Sequence, residues 1–477
     1  MTAEELEPVI GLESHVQLRT ATKMFCGCAL GFGEPPNTRT CPVCLGLPGA
    51  LPVANAEAIH FGLMIGMAVG SQLAPVSVFH RKNYFYPDLP KGYQISQFDL
   101  PLCLGGQLGE VAIHRVHLEE DAAKLNHAGG SGRIEGSDAS VVDFNRGGTP
   151  LAEIVTEPEL RSAEQAGQWL RLLRTTLRAL GVSDVNMEEG SLRCDANISL
   201  RPVGTDLLGT KTELKNMNSF RFIERGIRAE IERQRAVIDG GGEVTQETLH
   251  FDPRTEAITS LRSKEEAHDY RYFPEPDLPP VAITEAMLER AQSAMPELPA
   301  AREQRYALDL GLSADSARQL AWRSELGQYF EAVLAAGGGL DPQVAANWAI
   351  DLQGRLGDLE AEESKVTPDS LAELATLVAA QDVTPSVAKQ VLDMLVASGG
   401  SPAEIVESED LGAVGGADEL APVVARALEE NPDLAERLRS GDMKPIGVII
   451  GAVMKETNGR ADGKEVTALV RDQLGLS

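Results

Sequence analysis

The feature that most restricts the fold of this chain is a change of period near residue 292. Ahead of it, short alternating runs are punctuated by Gly and Pro, with "VIGLESHVQL" (9–18) and "SLRCDANISL" (191–200) the clearest. A period of two belongs to strands that bury one face. From Ala294 onward such runs almost vanish, and Ala, Leu, Glu and Arg recur at helical spacing. No single layer satisfies both patterns, so the chain must divide. In the helical region a capping residue stands directly before proline at Asp341-Pro342, Thr367-Pro368, Thr384-Pro385 and Ser401-Pro402. Proline suits the first helical turn because its missing N–H is not needed there. A Gly-containing acidic stretch at 407–420 then reads as a linker. The expected architecture is α+β: a cradle-like domain with a mixed or antiparallel sheet over 1–292, an all-α domain over 293–405 and a small all-α tail over 406–477.

Within the N-terminal region a single helix is well signalled. Ser162 and Gln165 form a capping box, Ala166, Trp169, Leu170, Leu173, Leu177 and Leu180 share a face, and Gly181 ends it. In the 191–200 strand Leu192, Cys194, Ala196, Ile198 and Leu200 face one way, and Arg193 and Asp195 the other. Helices are too few for regular βαβ alternation, so they are expected on one side of the sheet.

The formal charge of −28 argues against loose binding of nucleic acid along the whole surface, since the phosphate backbone would be repelled. The sequence opens without a basic leader and apolar block, and its longest apolar runs, such as 446–454, are too short to span a bilayer. A cytoplasmic protein without membrane contact is expected.

Four of the six cysteines, Cys26, Cys28, Cys41 and Cys44, fall in the spacing C-x-C, twelve residues, C-x-x-C. Four thiolates suit a closed, structural zinc site, and the loop "ALGFGEPPNTRT" between the pairs has no core of its own to hold it. The competing reading is free thiols in a surface loop, because the first pair has one spacer residue where two is commoner. Cys103 and Cys194 read as ordinary residues.

Glu13 and His15 lie on the face of the opening strand opposite Ile10, Leu12, Val16 and Leu18, about 7 Å apart at strand rise. Glu119, Glu120 and Asp121 end another β-type run, and Glu153 sits inside the apolar "PLAEIV". A carboxylate in such a run needs a cation or a set of donors. Oxygen ligands with one imidazole favour Mg²⁺ or Mn²⁺ over zinc. The plainer alternative has Glu13 solvated, His15 packed and Glu153 paired with an arginine.

A third constellation, "FHRKNYFYPDLPKGYQISQ" (79–97), interleaves His80, Arg81, Lys82 and Lys91 with Tyr84, Phe85, Tyr86 and Tyr93. Such a mixture can hold phosphates while stacking a base or sugar, though an ordinary loop anchored by aromatics has the same look. Segments 209–228 and 269–280 add Lys211, Lys215, Arg221 and Arg271. There is no Walker loop and no G-x-G-x-x-G, so nucleotide binding needs a different scaffold.

Together "VIGLESHVQL", "RKNYFYPDLPKGYQISQ", "HLEEDAAK", "FNRGGTPLAEIVTEPE", "MEEGSLRCDANIS", "TELKNMNSF" and "DYRYFPEPDLPP" resemble the B subunits of tRNA-dependent glutamyl/aspartyl amidotransferases. The resemblance spans nearly the whole chain, including a YqeY-like tail. It implies an enzyme acting on glutamate or aspartate wrongly esterified to the tRNA for glutamine or asparagine. A carboxylate is a poor electrophile, so ATP first phosphorylates it and ammonia then displaces phosphate. Ammonia is freed from glutamine by a separate amidase, the A subunit, and arrives through a tunnel, while a small C subunit braces the pair; water must be kept out to spare the acyl phosphate. Carried over residue by residue, the resemblance makes Glu13, His15, Glu120 and Glu153 magnesium ligands. It puts Lys82, Lys91, Tyr84 and Tyr93 at the catalytic pocket, Arg193, Asp195, Lys215 and Arg271 on ATP, and the four clustered cysteines on zinc. Ser14 departs from the family, which has an aliphatic residue there. The helical regions are expected to hold misacylated tRNA by shape and backbone, and residues 438–477 carry six basic against five acidic side chains, far less negative than the rest. Two rivals stand beside this reading. One is a non-catalytic, zinc-stabilised tRNA-binding scaffold, and the other a freestanding ATP-dependent ligase using free ammonia.

Overall fold

The computed structural model describes residues 5–128, 137–263, 270–357, 359–414 and 417–476. Asp269, which opens the phrase at 269–280, and Gly415 and Gly416 of the expected linker lie outside the described residues. The chain forms two compact units, Met1–Leu298 and Pro299–Ser477.

The alternation of the opening run becomes the strand Leu6–Gln17, which lies inside a ten-stranded sheet. On one side it pairs antiparallel with Leu192–Pro202, and on the other with Pro150–Thr156, which in turn pairs with Val111–Glu120. Beyond Leu192–Pro202 the sheet continues through Thr212–Met217, Glu247–Phe251 and Ile258–Ser263. The pairing of Thr212–Met217 with Glu247–Phe251 is parallel, so the sheet is mixed and the fold α+β.

Because every strand alternates, the ladder sorts side chains onto two faces. One face collects Leu12, Val16, Cys194, Ala196, Ile154, Val116 and Leu118, each at most 1% exposed. Against it pack the helices Ala56–Ala68, Ala163–Leu180 and Phe220–Asp239, whose apolar sides complete the core. Helix Ala163–Leu180 is capped by Ser162, whose hydroxyl accepts from Gln165 N at 3.1 Å, and ends at Gly181 with φ 69°. The box differs in one detail, since the Gln165 side chain accepts from Arg161 N rather than from Ser162.

Ser14 belongs to this apolar face. It is fully buried, opposite Cys194 in the ladder, and its hydroxyl has no well-formed hydrogen bond, only a weak contact with the Cys194 thiol. An unsatisfied buried hydroxyl is unfavourable. We expect Ser14→Ala to raise unfolding stability by about 0.5–1 kcal/mol, read from chemical denaturation of the full chain; a loss of stability would show that the hydroxyl has a partner.

A small three-stranded sheet, built from Phe79–Asn83, Tyr93–Gln97 and Phe273–Pro274, carries Lys82 and Tyr93. It sets the loop 84–92 beside the end of strand Val111–Glu120.

The second unit is helical. Each of the four proline-marked starts is a true N-terminus: Asp341, Thr367, Thr384 and Ser401 accept from the backbone N–H three residues on. Its buried apolar residues form two clusters, one from Tyr306 to Leu395 and one from Leu420 to Leu474. Among the described residues no helix is long and apolar enough to cross a membrane.

Candidate functional site

The face of the large sheet away from the helices is polar, and its register builds the site. Across four neighbouring strands Arg193, His15, Glu153 and His117 stand in one row. The next rows place Asp195 opposite Glu13, and Leu151 between Gln17 and Glu119. Side chains distant in sequence thereby meet. His15 Nε2 lies 3.5 Å from Glu13, 3.5 Å from Glu153 and 3.9 Å from Glu119, and His117 Nε2 lies 3.2 Å from Glu153 and 3.8 Å from Glu119. Glu13, His15 and Glu153 present ligand atoms within 4.8 Å of one another, as do His117, Glu119 and Glu153.

The electrostatics follow from this crowding. Burial alone would push the two imidazoles down, but Glu153 and Glu119 outweigh it and raise His15 and His117 to about 9. Burial opposes the charge on Glu153, yet the two imidazoles hold its carboxyl well below the usual range. Burial and the Glu153 carboxylate push Glu13 up. Next to this group Asp121, 3% exposed, is held low by Arg193 and Arg146 against the effect of burial; it also accepts from Gln17 Nε2 at 2.9 Å.

The cluster opens into a cavity of about 820 Å³ lined by seven carboxylates against four lysines and arginines. Lys82, Tyr84, Arg193, Asp195 and Lys215 of the sequence-predicted set line it. Lys82 sits 4.8 Å from the Tyr270 ring centre, and burial, which would lower its pKa, is overcome by Glu119 and the other anionic groups facing it. Lys215 bridges Asp195 at 2.9 Å and Glu213 at 3.0 Å. An excess of carboxylates would repel a polyphosphate, so the residues present fit a divalent cation of the Mg²⁺ type, which prefers oxygen ligands and shares its shell with phosphate.

Several of the expected residues fall elsewhere. Glu120 has the parity of Val116 and Leu118, so it points to the other side of the sheet. There it pairs with Lys91 and accepts from Ile95 N at 3.0 Å. Glu119, not Glu120, is the carboxylate of that run beside His15 and Glu153. Lys91 and Tyr93 line a second, smaller cavity of about 120 Å³ together with Glu120, Cys26 and Cys44. Arg271 is exposed at φ 41°, and is not among the described residues lining the large cavity. His117 is a member of the cluster that the sequence motifs do not single out; its alternation with Glu119 along the same strand is the signal that marks it.

The four cysteines Cys26, Cys28, Cys41 and Cys44 do come together, with all four sulfurs within 4.8 Å of one another. The loop between the pairs is anchored outside itself. Asn37, at φ 60°, donates to the Val142 carbonyl and accepts from Phe144 N, and Asn145 accepts from Arg39 N. Four converging sulfurs fit a tetrahedral zinc ion.

Residues 8–289 match the family model of the GatB/GatE catalytic domain, and residues 328–474 match that of the GatB domain. The chain belongs to the GatB family. Its similarity to family members runs end to end. A protein of Frankia casuarinae, named as the B subunit of aspartyl/glutamyl-tRNA(Asn/Gln) amidotransferase, is 48% identical over 99% of this chain and 96% of its own. Proteins of the same name from Anaeromyxobacter sp. (strain Fw109-5) and Crocosphaera subtropica are 47% and 46% identical, over 100% of both chains and 98% of both chains. All of the polar cluster and the cysteine site fall inside the stretch matched by the GatB/GatE catalytic domain.

Proposed function

We propose that this chain is the component of a tRNA-dependent amidotransferase that activates the side-chain carboxylate of misacylated tRNA with ATP and converts it to the amide. The observation that carries this reading is that Glu13, His15, Glu119 and Glu153 share one sheet face, with His15 Nε2 3.5, 3.9 and 3.5 Å from Glu13, Glu119 and Glu153, and that Glu13, His15 and Glu119 line a cavity also lined by Lys82, Arg193 and Lys215. We assign those four residues to a divalent cation such as Mg²⁺. When bound, that ion would offset the charge of the ATP phosphates during transfer.

The protein's own groups have separate tasks in this reading. Arg193 and Lys215, each held in place by a carboxylate, offer fixed positive charge to phosphate oxygens. Lys82, kept cationic by its anionic surroundings, lines the same cavity and would add positive charge beside the transferring group. Tyr84 lines the same cavity and Tyr270 flanks Lys82 there. Lys91, Glu120 and Tyr93 lie on the other side of the sheet, and we assign their cavity to the passage of ammonia from a partner amidase. An enclosed route matters because protonated ammonium is no nucleophile and water would hydrolyse the activated acyl group. Zinc at the cysteine cluster would clip the loop that forms one wall of that cavity.

The same reading places the protein in the cytoplasm, in a complex with the amidase (A) and a small third chain (C). The expected first break at 292 falls inside helix Glu285–Ala294, and the first compact unit runs on to Leu298; we propose the second break, near 405, which the two separate apolar clusters of the helical unit support. The test is a transamidation assay on both misacylated tRNAs with the assembled complex. Amide should form only with ATP and Mg²⁺, and glutamine should serve as donor only when the other chains of the complex are present. Amide formation from glutamine by this chain alone, or without ATP, would contradict the proposal.

A further inference from the structure

Lys23 is 1% exposed, yet no carboxylate lies within ion-pairing distance of it among the described residues. Its ammonium donates to the Phe144 carbonyl at 3.0 Å and to Cys44 Sγ at 3.6 Å. A buried cation without an anion is strongly unfavourable, so the sulfur is the group that must answer its charge. The surrounding backbone makes room for this contact. Gly148 adopts φ +87°, and a Cβ there would stand 3.3 Å from Lys23 Cδ and 3.7 Å from Cys44 Cβ.

We propose that Lys23 is the internal counter-ion of the four-cysteine site, its ammonium donating to Cys44 Sγ and strengthening the grip of the cluster on zinc. This rests on the zinc reading given above and deepens it. Four thiolates around Zn²⁺ leave two negative charges at a half-buried site, and one buried ammonium removes half of that excess. The contact also reaches the polar face of the sheet. Met24 N donates to Gly148 O at 2.7 Å, and Gly148 N donates to Asp121 O at 2.8 Å, so the lysine that touches the cluster lies one residue from the backbone path to Asp121.

The test uses the full chain, loaded with zinc and titrated against a chelating chromophore, with metal content measured in parallel. Lys23→Met should weaken zinc retention about 10- to 100-fold, the usual cost of losing a group that supports a metal ligand. A sign reversal separates this from a packing loss. In the parent, Lys23→Met should lower the unfolding midpoint; in a Cys44→Ala background, where the ammonium has no anion, the same change should raise it. Zinc retention within twofold of the parent, or an equal fall in midpoint in both backgrounds, overturns the proposal. Should the parent take up no zinc, the zinc reading fails, and the midpoint reversal alone decides the ion pair.

Discussion

Replacing Glu153 with glutamine is expected to lower ATP-dependent amide formation at least about a thousandfold, or ~4 kcal/mol in barrier. Glu153 is the shared member of both ligand groups, 5% exposed, with an imidazole of His15 on one side and of His117 on the other. Glutamine keeps the shape but removes the charge that a divalent ion and both imidazoles require. The folded state should lose about 3–5 kcal/mol, the cost of removing one partner from a buried ion pair. The check is a transamidation assay paired with tRNA binding and circular dichroism on the same preparation. Lost activity with retained fold and tRNA affinity fits a catalytic centre. Near-normal activity would favour a scaffold.

A second contrast has an effect of similar size and separates two adjacent carboxylates. Glu119→Gln should raise the Mg²⁺ concentration needed for half activity by one to two orders of magnitude, about 1.4–2.7 kcal/mol of lost cation binding. Glu120→Gln should leave that concentration nearly unchanged, since Glu120 is on the opposite face of the sheet and paired with Lys91. Its defect should appear instead in the use of ammonia once the carboxylate is activated, seen as ATP turnover without matching amide. Equal Mg²⁺ requirements for the two variants would contradict the side assignment.

Much of this site is legible in the amino-acid sequence. Period-two alternation alone puts Glu13 and His15 on the face opposite Leu12 and Val16, and the ladder agrees. The same rule separates Glu119 from Glu120, because Val116 and Leu118 mark the apolar parity of their strand. Carried over residue by residue the resemblance names Glu120, whereas Glu119 is the carboxylate that stands beside His15 and Glu153, because neighbouring acids look interchangeable along a sequence. What no local pattern contains is strand adjacency. His15 meets Glu153 because residues 150–156 pair beside the first strand, a contact across 138 positions. Lys82 and Lys91 part for a similar reason: one is on strand Phe79–Asn83, the other in the turn before Tyr93–Gln97, and they reach different cavities. The helical unit is easier to read, because capping residues and proline act within a few positions of each other.

One divalent cation is expected to bind on the polar sheet face. The most direct test is a crystal of the complex grown with Mn²⁺ and a non-hydrolysable ATP analogue, with anomalous scattering recorded at the manganese edge. A peak is expected within coordination distance of Glu13, His15, Glu119 and Glu153, with analogue phosphates on its open side. A peak beside Glu120 and Lys91, or nucleotide bound away from this cluster, would contradict that expectation.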